Sequence, residues 1–454
     1  MSPLRRTQAW VAAIFFICML VASLRWQPSI APPVTFVVNT VNHHIKQEVN
    51  RIDMKYCGGP CRFILPLKIM EQESKAQIHL QQIAFMSGLV NRTVVLPNVK
   101  NSRLGACLRH PFDFYYSNSW GKQNKDHFNT ITMADFTAWL KERKALGRAG
   151  TNRNLHIRVD PTTGNPYMSP QNCLDPLLAP RNLPDRLLLM KEHRQPELRV
   201  DIERQVYEFL TEDDGIEVLG LFYDRRYPFV HHPLSNLPIP YNERVTGFAD
   251  QIASSLGPYR AVHWRTETLE PAENLVECAQ TLVEKLTSDI SDDGVPHKLF
   301  LLTDYPHTFS EQAIYSAIVK NITDPTQMRS ASATFHLKML TPHHHKAMAY
   351  LYSHVPVRVT SLEESGNSHI GPPPANWTSI SVPNIVGKHD SGLLGIVDKL
   401  LAMRADSFFA GVPHVCGRSS SFTTQIVEAR KEAMLEGAVL SNSVEYFGLP
   451  SPIV

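Results

Sequence analysis

A large net charge is missing from this 454-residue chain: 45 Lys and Arg stand against 43 Asp and Glu, a formal charge of +2. That balance excludes the electrostatic footprint by which proteins hold nucleic acid. Glycine is sparse, 22 residues against 33 prolines, which fits ordered loops and extended linkers. There is no internal repeat and no low-complexity tract. No Walker A and no Gly-x-Ser-x-Gly pattern occurs. No Asp-x-Asp stands at a strand end, where a metal-held diphosphate would need it, and Asp292-Asp293 reads as a turn. The cysteines lack zinc-ligand spacing. His43-His44 and His231-His232 are scattered, and His343-His344-His345 looks like a surface cluster after Pro342. No metal and no other cofactor is expected. What remains is ordinary: 43% hydrophobic and 19% charged residues, enough for a large core and against wholesale disorder. The length allows two or three domains.

The N-terminus carries an apolar run, Ala9 to Leu24, between Arg5-Arg6 and Arg25-Trp26. Basic residues before the run place the N-terminus in the cytosol. The run is short for a bilayer span of about 20 residues. It reads as a short signal-anchor, with Arg25 and Trp26 at the interface, or as a signal peptide cleaved near Val21-Ala22-Ser23. The expected placement is a single-pass type II protein of the ER or Golgi membrane with a luminal globular part, secreted if the segment is cleaved. Six cysteines outside the run (Cys57, Cys61, Cys107, Cys173, Cys278, Cys416) suit an oxidising compartment, and Cys57 and Cys61 could close a small loop. Asn91, Asn321 and Asn376 open glycosylation sequons.

Residues 26–55 show no clean period and read as a stem. From about Tyr56 onward helical and strand patterns alternate. Ala76, Leu80, Ile83, Ser87 and Val90 line one face of a helix over 73–90, and Thr93–Leu96 is a strand stopped by Pro97. Helices are expected over 135–144, 198–210, 242–256, 275–289, 393–404 and 421–436. Strands are expected over 155–159, 216–219, 259–264, 298–302 and 407–410. The alternation implies doubly wound parallel sheets.

Three groups of residues could carry chemistry. His263 and Arg265 sit two apart at a strand end, so they share a face, and ligands bind at the carboxyl ends of parallel strands. The Arg265 fork suits phosphate, although pairing with Glu267 or Asp304 is an equally natural fate. Ser419-Ser420-Ser421 opens a helix, where hydroxyls serve as caps and free N–H groups receive anions. Asp406, before the preceding strand, suits the edge of a base or a loop hydrogen bond. Glu71 and Glu73 open the first helix: they answer its dipole, or one acts as a general base on an acceptor hydroxyl.

These stretches together resemble the GDP-fucose protein O-fucosyltransferase superfamily. Tyr56-Cys57 with Arg62-Phe63 resembles its N-terminal loop, and Ile83-Ala84-Phe85 through Asn91-Arg92-Thr93 to Pro97 its next helix and strand. Tyr259 to Arg265 resembles its Tyr-x-x-x-His-x-Arg. Ala405 to Gly411 with Ser420–Thr423 and Arg430 resembles its C-terminal motif, and Thr303-Asp304 also matches. The resemblance implies a GT-B-like fold, with two Rossmann-like domains (56–222 on the acceptor side, 223–454 binding GDP-sugar) facing a cleft; they follow the tail (1–8), anchor (9–25) and stem (26–55) read from the N-terminal sequence. It implies inverting, metal-independent transfer of fucose from GDP-fucose to a hydroxyl of a protein or glycan. Arg265 would hold the β-phosphate, His263 contact the donor and Asp406 read the guanine, while Ser420, Ser421 and Phe422 line the nucleotide and phosphates. The family's Gly-Asn-Gln after Arg-Phe is absent, so Glu71 or Glu73 takes the place of the base. The alternatives are a related enzyme using another nucleotide sugar, or a non-catalytic relative that binds glycans or proteins.

Overall fold

The computed structural model describes residues 34–148, 150–158, 173–174, 177–178, 185–189, 196–212, 215–223, 230–267, 271–288, 298–305, 340–362, 376–382 and 390–449. The chain divides into two compact units, Met1–Pro60 and Cys61–Val454. In the first unit a single helix, α1 (Val34–Cys57), is described. The region expected to be an irregular stem is thus largely helical: Ile45, Val49 and Ile52 recur at spacings of four and three among polar residues. The apolar run 9–24 lies outside the described residues. Among the described residues no helix is long and apolar enough to cross a membrane; α1 itself carries Lys46, Glu48, Arg51, Asp53 and Lys55. This corrects the expected single-pass type II placement.

The second unit has a mixed α/β fold with two sheets. The first comprises β1 (Phe63–Ile69), β2 (Thr93–Leu96), β3 (Asn98–Lys100), β4 (Arg103–Gly105), β5 (Thr130–Thr132), β6 (Asn152–Arg158), β7 (Arg186–Leu189) and β8 (Val218–Tyr223). Strands β5-β2-β1-β8-β6-β7 run parallel, and the β3–β4 hairpin joins the end of β1 antiparallel. Helices α2 (Glu73–Leu89), α3 (Met133–Ala145) and α4 (Pro196–Thr211) connect them. The second sheet contains β9 (Tyr259–Trp264), β10 (Lys298–Thr303), β11 (Val357–Leu362), β12 (Trp377–Val382), β13 (Ser407–Gly411) and β14 (Glu445–Phe447), in the order β12-β11-β10-β9-β13-β14, all parallel. Its helices are α5 (Glu243–Leu256), α6 (Asn274–Ser288), α7 (Pro342–His354), α8 (Ser391–Arg404) and α9 (Ser421–Leu435).

Strand alternation divides the packing of the second sheet. Ala261 and Phe300 join a core with Val245 of α5 and Leu393 and Ile396 of α8. Val262, Trp264, Leu299 and Leu301 face the other way, onto Leu275 and Leu282 of α6 and Leu351 of α7. Burial on both faces is why these strands read as continuous apolar runs. One central strand escaped the pattern: β1 contains Pro66 and Lys68. Proline cannot donate to a ladder, and the register of β1 against β8 shifts between Pro66 and Lys68, where a bulge accommodates it.

Two disulfides, Cys107–Cys173 and Cys278–Cys416, have Cα separations of 5.5 and 5.6 Å, and Cys57 and Cys61 are also disulfide-bonded. The second of these ties α6 to the loop after β13, where the Cys416 carbonyl accepts from Trp264 Nε1 at 2.7 Å.

A latch joins the two sheets. The β3–β4 turn places Asn101 (φ 47°) and Ser102 (φ 64°) in the left-handed region, as a tight two-residue hairpin requires. The Asn101 N–H donates to Asp390 Oδ2 at 2.9 Å, and Tyr115 donates to Asp390 Oδ1. Asp390 is at the same time the N-cap of α8, accepting from Gly392 and Leu393 N–H at 2.9 and 3.0 Å. The approach is so close that a Cβ on Gly392 would collide with Tyr115 Oη and the Ser102 nitrogen.

Candidate functional site

The strand order of the second sheet reverses between β9 and β13. Beyond the carboxyl ends of two such strands the backbone diverges and leaves a crevice. Here it is occupied by two adjoining cavities of about 320 and 110 Å³ that share Gln72, Arg265, Gly395, Ser420 and Phe422. The larger reaches the loop after β1, with Glu71, Glu73, Lys75 and Arg103. The smaller reaches His263, Thr303, Asp304 and Asp398.

Arg265 lines both cavities. It donates to Glu267, whose Oε1 also receives Arg418 at 3.1 Å. Glu267 is fully buried, so the carboxylate anchors the two arginines. The turn that presents them is fixed by Asp304 after β10: its Oδ1 accepts from Thr266 N and Oγ1 at 2.8 and 3.0 Å, its Oδ2 from Glu267 N at 3.0 Å. Burial raises the Asp304 pKa to about 6 against the pull of those hydrogen bonds. The Thr266 carbonyl lies 3.2 Å from His344 Nε2. The His343–His345 tract is therefore not a surface cluster: His344 is buried in the first turn of α7, its Nδ1 2.9 Å from Thr341 Oγ1.

His263 lies 2.7 Å from Thr423 Oγ1 through Nδ1, and its ring packs on Phe422 with centroids 5.0 Å apart. Burial, then the charge of Arg265, lowers its pKa to about 3, so it is a neutral hydrogen-bonding group at physiological pH. Ser420 caps α9, its Oγ accepting from Phe422 N–H at 3.2 Å, and Ser421 and Phe422 line the larger cavity beside it. The structure thus brings together six residues singled out in the sequence: His263, Arg265, Ser420, Ser421, Phe422 and Glu71.

Glu73 also lines the cavity, but its oxygens are taken. Oε2 accepts from Lys399 at 2.6 Å and Ser74 at 3.3 Å, and Oε1 from Tyr241, Gln77 and Tyr116 at 2.8, 3.1 and 3.2 Å. Lys399 is fully buried and donates further to Tyr241 and Gln425 at 2.8 and 2.7 Å. Burial pulls the Lys399 pKa down while Glu73 pulls it back up. Burial first, then the Glu73 charge, pushes the Tyr116 and Tyr241 pKa values well up, which keeps both as donors. Five donors thus engage the two oxygens of Glu73, so of the two glutamates expected as a base it is the one committed to a buried network. Glu71 differs: it is partly exposed, and Lys75 approaches at 3.4 Å.

Asp406 is not in either cavity. It precedes β13, and its N–H donates to the Tyr259 carbonyl at 3.0 Å. With Ser407 opposite Arg260 in a parallel register, Asp406 stands level with the start of β9, roughly 17 Å from its carboxyl end at about 3.3 Å per residue. The residue expected to read the base therefore lines neither of the two cavities. Its carbonyl, with those of Ala402, Met403, Ala405 and Asn442, accepts from the buried Arg430. Arg430 therefore closes the carboxyl end of α8, and burial lowers its pKa to about 10. Arg62-Phe63 likewise opens β1, Phe63 packing on Phe136 and Trp139; the loop at the cavity is Met70–Gln72.

Among the cavity residues unseen in the sequence, two are charged and stand out. Arg103 enters on the β3–β4 hairpin. Asp398, on α8, receives Thr360 Oγ1 and faces the smaller cavity; burial raises its pKa to about 7. Of the sequons, Asn91 is exposed in a left-handed turn (φ 50°), Asn376 is half-buried before β12, and Asn321 lies outside the described residues. Asp292-Asp293 also lies outside them. Among the described residues no group of three or more His, Cys, Asp or Glu could hold a metal ion.

No family model and no curated protein matches the sequence. Solved structures do. A crystal structure of POFUT1 in complex with GDP matches at a TM-score of 0.43 and 13% identity, over 86% of this chain and 99% of that one. POFUT1 in complex with GDP-fucose matches at 0.42 and 15%, over 87% and 100%. The chain is similar to POFUT1, a GDP-fucose protein O-fucosyltransferase.

Proposed function

We propose that the chain is a glycosyltransferase that binds GDP-fucose at the carboxyl ends of β9 and β13 and transfers the sugar, with inversion, to an acceptor hydroxyl. Its two sheets then correspond to the Rossmann-like halves of a GT-B-like fold. The observation that carries this reading is Arg265, which lines both cavities beside the N-terminus of α9. A guanidinium fork and free helix N–H groups are what a diphosphate needs as it leaves. Guanine fits the smaller cavity, where Asp398 accepts from the N–H edge of the base and neutral His263 adds a hydrogen bond. The acceptor approaches from the Met70–Gln72 loop, and Glu71 takes its proton. The acceptor oxygen bonds to C1 of the sugar, and the C1–O electron pair passes to the β-phosphate. No metal is needed for this, so turnover is expected to be unchanged in a chelator.

The purified chain, incubated with a panel of nucleotide sugars, is expected to release GDP from GDP-fucose. Release from a different donor alone would support a related transferase. Stabilisation by GDP without turnover of any donor would support a non-catalytic binder, a reading that the locked Glu73 favours. No response to GDP or to any GDP-sugar would overturn the proposal.

Two further results are expected. Glu71→Gln lowers turnover by about 10²- to 10⁴-fold, the usual contribution of a general base, with GDP affinity unchanged; full activity would remove Glu71 from the base role. The second concerns pH. Asp398 must be ionised to accept from the base, and its pKa in the free site is raised to about 7. GDP-fucose affinity is therefore constant well above pH 7 and falls about tenfold for each pH unit below it. His263, lowered to about 3, does not titrate in that range. The sugar diphosphate also keeps its charge there. Calorimetric titration between pH 5 and 9 checks this; Asp398→Asn flattens the profile, and a flat wild-type profile would take Asp398 off the base edge.

A further inference from the structure

The larger cavity contains a cation to which the reading above gives no task. Arg103 stands at the start of β4, directly after the turn that Asp390 and Tyr115 hold against α8. Its position is thereby set by both sheets. Its guanidinium donates to the Met70 carbonyl, and the residue lines the same cavity as Arg265, Ser420 and Ser421. Among the described residues no carboxylate lies within ion-pair distance of it. Burial lowers its pKa and the nearby charge of Glu71 raises it, and a guanidinium so placed stays protonated.

The ion pairs around the cavity show why this matters. Lys75 is paired with Glu71, Lys399 with Glu73, and Arg265 and Arg418 share Glu267. Arg103 is the lining cation of the larger cavity for which, among the described residues, no such pair is formed. The diphosphate of a nucleotide sugar carries two negative charges. Arg265 borders both cavities, whereas Arg103 borders only the larger, away from Asp398 and His263. With the base in the smaller cavity, Arg103 meets the far end of the diphosphate.

We infer that Arg103 is the second cation of the diphosphate clamp, contacting the β-phosphate from the first sheet while Arg265 holds the diphosphate from the second. The inference rests on the GDP-sugar reading. As the C1–O bond breaks, its electron pair adds charge to the β-phosphate. A cation outside any ion pair is available to that charge, and the latch holds it in place before the donor arrives.

The test is calorimetric titration of GDP and GMP into the full chain and into its Arg103→Gln and Arg103→Lys variants, at one salt concentration, with thermal melting as the check on folding. Arg103→Gln is expected to weaken GDP about 10- to 100-fold, the range for a lost charge-assisted hydrogen bond. GMP, which lacks the β-phosphate, changes about twofold or less. Arg103→Lys, which keeps the charge, retains an intermediate GDP affinity and serves if the Gln variant does not fold. Unchanged GDP affinity, as for an arginine that reaches an acidic acceptor instead, overturns the inference. So does an equal loss of GDP and GMP, which would mean a structural role. Wild-type protein that fails to bind GDP sinks the GDP-sugar reading itself.

Discussion

Arg265→Ala is expected to lower turnover of GDP-fucose by about 10²- to 10⁴-fold, the range found when one oxyanion donor or a phosphate-clamping arginine is removed. The effect is large because the leaving-group charge is met by a fixed cation that needs no reorganisation. Arg265 does pair with Glu267, as an arginine with a purely structural role also would. The difference is in its surroundings: Glu267 is wholly buried while Arg265 keeps one side on both cavities. A structural arginine would be missed in stability; a clamping one is missed in rate. The variant should melt within a few degrees of wild type, since Arg418 still pairs Glu267 at 3.1 Å. Arg265→Lys should recover only part of the rate, because a lysine offers a point charge where the fork offers two donors. Undiminished turnover in Arg265→Ala would remove the phosphate role.

Lys399→Met is expected to destabilise the fold by about 3–5 kcal/mol, the cost of leaving one charge of a buried pair uncompensated. Glu73 would remain with neutral donors only, in a site where Lys399 and Glu73 are almost wholly buried. The pair also spans the molecule, joining α2 to α8 across 326 residues of sequence, with Gln425 of α9 bonded to both Lys399 and the Ser74 carbonyl at 2.7 Å. Loss of the cation therefore loosens the walls of the cavity and lowers the urea midpoint. The double variant Glu73→Gln with Lys399→Met should recover part of the loss, since removing both charges removes the desolvation penalty. A single variant as stable as wild type would mean that the pair does not hold the sheets together.

The parts of this site that were legible in the sequence are those written in one short stretch. His263 and Arg265 share a face because they are two residues apart at the end of β9, and Ser420 caps because it precedes a helix. The α/β alternation was legible for the same reason: β9 is an apolar run of strand length, and α5 opens at an Asn cap whose side chain accepts from Arg244 N–H at 2.9 Å. The parts that were hidden depend on distance along the chain or on position along a strand. Asp398 and Lys399 read as ordinary polar positions of α8, and only the folded chain sets one in the smaller cavity and the other on Glu73. Arg103 depends on a hairpin too short to show a period. Asp406 was attractive because it adjoins a strand, but it adjoins the amino end, and the ligand end is the other one. Pro66 concealed β1, and with it the fact that the loop facing the cavity is Met70–Gln72.

The central claim is that the cavities between β9, β13 and α9 receive a guanine nucleotide diphosphate. Crystals of the protein grown with GDP test it most directly. The account predicts phosphate density between Arg265, Arg103 and the backbone of Ser421–Phe422, with the base against Asp398 and His263. A nucleotide bound elsewhere, or a base lying against Asp406, would contradict it.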